Sequence, residues 1–150
     1  SIFGLFSVPK QSIYNVGKFG VKAFTESLAI EMEMAESPVE VYCVFPGHIG
    51  TNIYHSSKFK SFEADDAGAA IFGAKASTIE EAADQFKNNA PLTPGHAAKI
   101  ILKNIKKKNK RILIGADAHF YDLMSRLFPK HFLKIIWIWP FFRNLFKRNK

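Results

Sequence analysis

The chain has 150 residues, 47% of them hydrophobic, which is enough apolar material for one core and too much for a disordered segment. A single cysteine excludes an internal disulfide, and the longest wholly apolar run, Ile135 to Phe142, falls far short of the roughly 18 to 20 residues that span a bilayer as a helix. The net charge of +8 is uneven, with −4 on residues 1–98 and +12 on 99–150. That asymmetry suggests an anionic partner for the C-terminal third, or simply cations solvated at a helix end.

Apolar residues recur at Ile13, Val16, Gly20, Val21, Phe24, Leu28 and Met32, close to a helical period. They predict a helix from Gln11 to Ala35 with that face buried. Tyr14 and Lys18 open it at i, i+4 and share a face. A phenol, with an ordinary pKa of about 10, carries protons poorly at neutral pH unless a cation stabilises the phenolate. Lys18 is placed to do so, and a Ser1 hydroxyl brought alongside would polarise a substrate carbonyl. Taken alone, the pair also reads as a core-edge tyrosine with its lysine in solvent. Glu26, Glu31, Glu33 and Glu36 mark the solvated face, and Ser37-Pro38 ends the helix.

Val39 to Phe45 is an almost unbroken apolar run, suited to a central parallel strand, with Cys43 as a small core residue. It meets Pro46-Gly47-His48-Ile49-Gly50-Thr51. Ligands in open α/β sheets sit at such strand ends. Gly47 would let the backbone approach a flat ring, and Thr51 would offer its hydroxyl and backbone N–H. The plain alternative is an ordinary strand exit, with His48 a solvent-exposed loop residue.

From Tyr54 to Ala76 the chain is polar and glycine-bearing, with Phe59, Phe62, Ile71 and Phe72 set to line an apolar pocket or anchor the loop. Ser77 or Thr78 followed by Glu80 and Glu81 starts a helix through about Asn88. Thr93-Pro94 starts another, with Ala97, Ala98, Ile101, Leu102 and Ile105 inward. Arg111 to Gly115 reads as a short strand, and Asp117 to Phe128 as a helix. The five histidines, at 48, 55, 96, 119 and 131, show no metal-ligand spacing, so no metal site is expected. Beyond Pro129 aromatic and aliphatic residues mix with bases, and no acid follows Asp122. This composition suits an amphipathic segment lying on an anionic membrane, or a subunit interface. The aromatics are packed with aliphatics rather than interleaved as a stacking platform, which disfavours nucleic acid.

In these surroundings the residues resemble the short-chain dehydrogenase/reductase family. There a serine ends a strand, a glycine and a proline follow, and a tyrosine and lysine open a long helix, as do Ser1, Gly4, Pro9, Tyr14 and Lys18 here. Pro46, Gly47 and Thr51 resemble the family's PG…T segment beside the nicotinamide. The helix from Thr93 and the run Arg111 to Ala118 resemble its last helix and edge strand. Gly17 departs from the pattern, since the family usually carries serine or another small residue before the lysine.

The resemblance implies an α/β fold, the C-terminal half of a Rossmann-type doubly wound parallel sheet with its N-terminal cofactor-binding half missing. Residues 1–128 would belong to that domain and 129–150 would form the basic, aromatic tail. It implies catalysis by Ser1, Tyr14 and Lys18, and NAD or NADP held by Tyr14, Lys18, Pro46, Gly47, Ile49 and Thr51. Hydride would pass between the nicotinamide and a carbonyl or alcohol substrate, hydrophobic if the aromatic flap lines its pocket. A homo-oligomer in the cytoplasm, peripherally bound to membrane through 129–150, completes the expectation. No glycine-rich pyrophosphate turn stands among the nine glycines. The chain is therefore expected to be the later part of a longer enzyme, with open sheet edges and helix faces and no dinucleotide binding by itself. Two alternatives remain: a sugar-nucleotide epimerase or dehydratase of the extended family, and a non-enzymatic membrane-binding module.

Overall fold

A computed structural model describes residues 1–8, 11–56, 78–132 and 134. The chain opens on a 3-10 turn, Ile2–Gly4, capped by the Ser1 hydroxyl, which accepts a hydrogen bond from the Phe3 amide. Helix α1 then runs Ser12–Met34. It ends where the Glu36 and Ser37 amides turn back to the carbonyls of Glu33 and Met32, at 3.0 and 2.9 Å. Glu36 adopts a φ of 48°, the left-handed stop usually filled by glycine. The helix thus closes just before Ser37-Pro38, as its sequence predicts.

Strands β1 (Cys43–Pro46) and β2 (Arg111–Ile114) pair in parallel, in register from Cys43↔Arg111 to Pro46↔Ile114. Between them lie α2 (Ile53–Ser56), α3 (Ile79–Asn88) and α4 (Pro94–Lys106), and α5 (Ala116–Leu127) follows β2. Both longer helices begin as their caps dictate: the Thr78 hydroxyl accepts from the Glu81 amide, and that of Thr93 from the His96 amide. Parallel neighbours need a crossover, and α4 makes it by packing Ala97, Ile100, Ile101 and Ile105 against Ile112 and Ile114. Ala98 and Leu102, expected inward, are exposed, because Ile100 takes that contact. The fold is α/β, with a sheet of two parallel strands among the described residues.

A second core joins the chain's first residues to its last described ones. Ile2, Phe3, Phe6 and Val8 pack with Ala118 and Tyr121 of α5 and with Phe132. The Phe6 ring stands 4.6 Å from that of Tyr121 and 5.4 Å from that of Phe132. The root of the expected tail is therefore part of the body. Leu133 and residues 135–150, together with Pro9 and the flap residues Phe59, Phe62, Ile71 and Phe72, lie outside the described residues.

Helix α1 corrects the reading of its pattern. Ile13, Val16, Val21 and Phe24, on the face expected to be buried, are 88%, 74%, 59% and 68% exposed. Leu28 and Met32 of that face are half-buried, and ahead of them the covered side instead runs through the buried Asn15 and the half-buried Lys18, Lys22 and Thr25. The reason is positional: among the described residues, the turn Ile2–Gly4 and β1 are what α1 packs against, and both lie on the Asn15 side. Gly17 and Gly20 face open space. Cys43 is half-buried rather than a core residue, and burial pushes its thiol up from its ordinary value.

Ion pairs tie the helices to the sheet. The Arg111 guanidinium lies over the Phe45 ring at 4.6 Å, donates to Asp122 at 2.6 Å and reaches Glu26 of α1 at 3.4 Å. Lys110 pairs with Glu33 and Lys108 with Glu40. Part of the basic cluster at the end of α4 is thus matched by acids rather than left for a partner.

Candidate active site

The turn at the start of the chain delivers Ser1 to the first two turns of α1. Phe3 sets its ring edge-on against Tyr14, 5.9 Å between centroids, and a side chain on Gly4 would strike the Lys18 carbonyl at 2.9 Å. The ammonium of Lys18 lies 5.1 Å from the centre of the Tyr14 ring, a cation over the aromatic face as i, i+4 spacing requires. Tyr14 is 39% exposed. The backbone nitrogen of Ser1 donates to the Val44 carbonyl at 3.4 Å, which sets the corner beside β1. Tyr14 and Lys18 are therefore brought together, and the turn that Ser1 caps packs against both. Among the described contacts, the Ser1 hydroxyl is engaged in capping its own turn.

What holds this corner is Asn15, a residue the sequence reading passed over. It is buried, and its side-chain oxygen accepts from the Val8 amide while its nitrogen donates to the carbonyls of Phe3 and Phe6, each at 3.3 Å. These bonds satisfy backbone groups of an irregular segment that no helix or strand would satisfy. Being next to Tyr14 in the chain, Asn15 turns inward as the phenol turns outward. Its signal was legible as an amide inside an apolar stretch, where a poor helix former needs a reason.

The strip after β1 is held from both sides. The Gly47 amide donates to the Ile114 carbonyl at 2.9 Å, continuing the strand pairing by one residue, and the His48 amide donates to a carboxylate oxygen of Asp117 at 2.7 Å. His48 is buried, not solvent-exposed as expected. Its Nε2 lies 2.7 Å from the Phe86 carbonyl, and its ring is 4.3 Å from that of Phe86. Ile49 is buried too and bridges in parallel to Leu92, so its side chain belongs to the core. The Thr51 amide donates to the Ile49 carbonyl at 2.8 Å, which leaves the hydroxyl as that residue's donor toward a ligand. The space expected above Gly47 for a flat ring holds the Asp117 carboxylate. Pro46 closes β1 at the end nearest this strip.

The turn headed by Ser1, the Tyr14–Lys18 pair and the strip after β1 are the parts of the chain to set beside known proteins. The sequence profile described as short chain dehydrogenase matches residues 1–62, which contain every one of these side chains. The chain belongs to the short-chain dehydrogenase family. It is 32% identical over 136 residues to the Mycobacterium tuberculosis protein named "Putative oxidoreductase SadH", covering 91% of this chain and 45% of that one. It is 23% identical over 141 residues to the Drosophila melanogaster "Dehydrogenase/reductase SDR family protein 7-like", covering 93% of this chain and 36% of that one. A shorter stretch of 66 residues is 27% identical to the "CLA biosynthesis dehydrogenase/reductase" of Lactiplantibacillus plantarum. The chain thus spans less than half the length of these relatives. No solved structure matches it.

Proposed function

We propose that this short-chain dehydrogenase chain carries the catalytic residues of an NAD(P)-dependent oxidoreductase acting on a hydrophobic carbonyl or alcohol. The observation that carries the reading is the placement of Lys18 over the ring of an accessible Tyr14, in a corner headed by Ser1. Tyr14 gives its proton to the substrate oxygen in reduction and takes it back in oxidation. Ser1 donates to that same oxygen, turning away from the Phe3 amide. Lys18 stabilises the phenolate and donates to ribose hydroxyls, and Thr51 donates to the carboxamide end. An ammonium and hydroxyls of this kind suit the oxygen-rich ribose of a nicotinamide nucleotide, which when bound supplies or accepts the hydride.

The test uses the protein with its complete reading frame. It should bind NADH or NADPH at micromolar strength in calorimetry, about 8 kcal/mol of binding free energy, and oxidise one of them when given an apolar ketone or aldehyde. Absence of both would remove the proposal. The 150-residue chain by itself should bind neither nucleotide.

We also propose that the C-terminal segment docks on an anionic membrane. What favours this is that Leu123, Leu127 and Phe128 stand 52%, 58% and 45% exposed at the end of α5, directly before the acid-free, basic and aromatic residues 129–150. Among the described residues no helix is long and apolar enough to cross a membrane. Sedimentation with anionic vesicles at low and high salt, comparing the complete protein with a form ending at Lys134, tests it. If both forms stay in the supernatant while truncation changes oligomer size, the segment is a subunit interface.

A further inference from the structure

The register of the two strands sets up an arrangement that the catalytic corner does not use. Because Pro46 lies opposite Ile114, the next residues, Gly47 and Gly115, face each other at the C-terminal edge of the sheet. The Asp117 carboxylate occupies the space between them. A Cβ on Gly47 would lie 2.2 Å from its oxygens, and one on Gly115, where φ is +98°, would lie 2.3 Å from Oδ1. Two glycines, each just past the end of a strand, thus make a seat for one carboxylate, and Oδ2 accepts the His48 amide across 69 residues of sequence.

Asp117 stands in the first turn of α5, where an acid is favoured by the helix dipole. The N-cap residue of α5 is Gly115, which has no side chain, so the carboxylate serves its own helix through the dipole alone. It also reaches across to the neighbouring strand exit. Its Oδ1 is buried without a hydrogen-bond partner, which costs free energy that a smaller apolar residue would not. The dipole accounts for an acid in that turn, but not for a buried oxygen left without a partner. The segment it grips gives a reason, because Phe86 and Leu92 hold residues 48–50 from the other side.

We infer that Asp117 is a positioning residue: through the Gly47–His48 peptide it fixes the strip from Pro46 to Thr51 against the bound nicotinamide. The inference rests on the proposed cofactor for its consequence, but not for its mechanical part. Two glycines are needed for the seat, so Asp117, Gly47 and Gly115 act as one unit.

The experiment compares Asp117→Ala, Asp117→Asn and Asp117→Glu in the complete protein, reading amide hydrogen exchange across residues 47–51 without cofactor and calorimetric affinity for NADH and NADPH. Asparagine keeps an acceptor for the His48 amide. Glutamate keeps the charge at the helix end but is too long for the seat. Exchange at His48 should quicken about tenfold in the alanine and glutamate variants and stay close to native in the asparagine variant, with cofactor affinity falling about tenfold in the same two. Equal loss in the asparagine variant, or native exchange and affinity in the glutamate variant, would overturn the inference. Should alanine unfold the protein, the asparagine and glutamate pair still decides. If the native protein binds neither nucleotide, the oxidoreductase proposal fails, while exchange at His48 still shows whether Asp117 holds the strip.

Discussion

The corner at Ser1 and the strip after β1 stand side by side and are built in opposite ways. The corner rests on one buried amide: Asn15 bonds three backbone groups of residues 3–8, while the apolar face of α1 beyond it is open. The strip is gripped by separate elements, by β2 and Asp117 on one side and by Phe86 and Leu92 on the other. On the proposed reading, a strip that receives a flat cofactor would gain from being preorganised, whereas a corner that exchanges protons would need only its donors at the right distance. The difference also divides the risk. A single substitution should collapse the corner, whereas the strip should loosen at one grip, as at Asp117, and keep the other.

Asn15→Ala should therefore show the largest loss of stability. It strands the Val8 amide and the Phe3 and Phe6 carbonyls in a buried setting, at a cost of about 3 kcal/mol in urea unfolding of the complete protein. His48→Ala, by contrast, should leave the strip in place through Asp117, and a loss as large as that of Asn15→Ala would erase the contrast.

Much of this layout was legible in the sequence. Thr78 and Thr93 announced their helices by cap chemistry, and the run at Arg111 marked a strand. Tyr14 and Lys18 lie one helical turn apart, and so a spacing argument reaches their contact. The α1 face was misread because periodicity records which residues are apolar, not what is present to cover them; this chain spans 45% of its mycobacterial relative. Asp117 and the burial of His48 escaped because each depends on a partner far along the chain, and an aspartate at a helix start already has a sufficient local explanation.

The next effect in size concerns the ionic tie joining β2 to α5. Burial pushes the Asp122 carboxyl up, but Arg111 and Arg126 together outweigh that and hold it below its ordinary value. With the folded-state value the lower one, the contribution is complete above the unfolded-state pKa of about 4 and fades as pH falls through the folded-state value. Asp122→Asn should cost about 1 kcal/mol at neutral pH, and the gap from native should close in acid. A gap that stays constant down to strongly acid pH would remove the charge from the explanation. The smallest effect is a gain: Glu36→Gly relieves the left-handed stop of α1 and should add about 0.5 to 1 kcal/mol, read as a higher midpoint in the same denaturant series.

The central claim is that the corner moves a proton while the strip and Lys18 hold the nucleotide, and Tyr14→Phe in the complete protein separates the two directly. Only the hydroxyl is removed, and the ring keeps its place against Phe3 and beneath Lys18. Carbonyl-dependent NAD(P)H oxidation should fall by about 100-fold or more, while calorimetric affinity for the same nucleotide stays within about threefold of native. Turnover near the native rate in the phenylalanine variant would contradict the account.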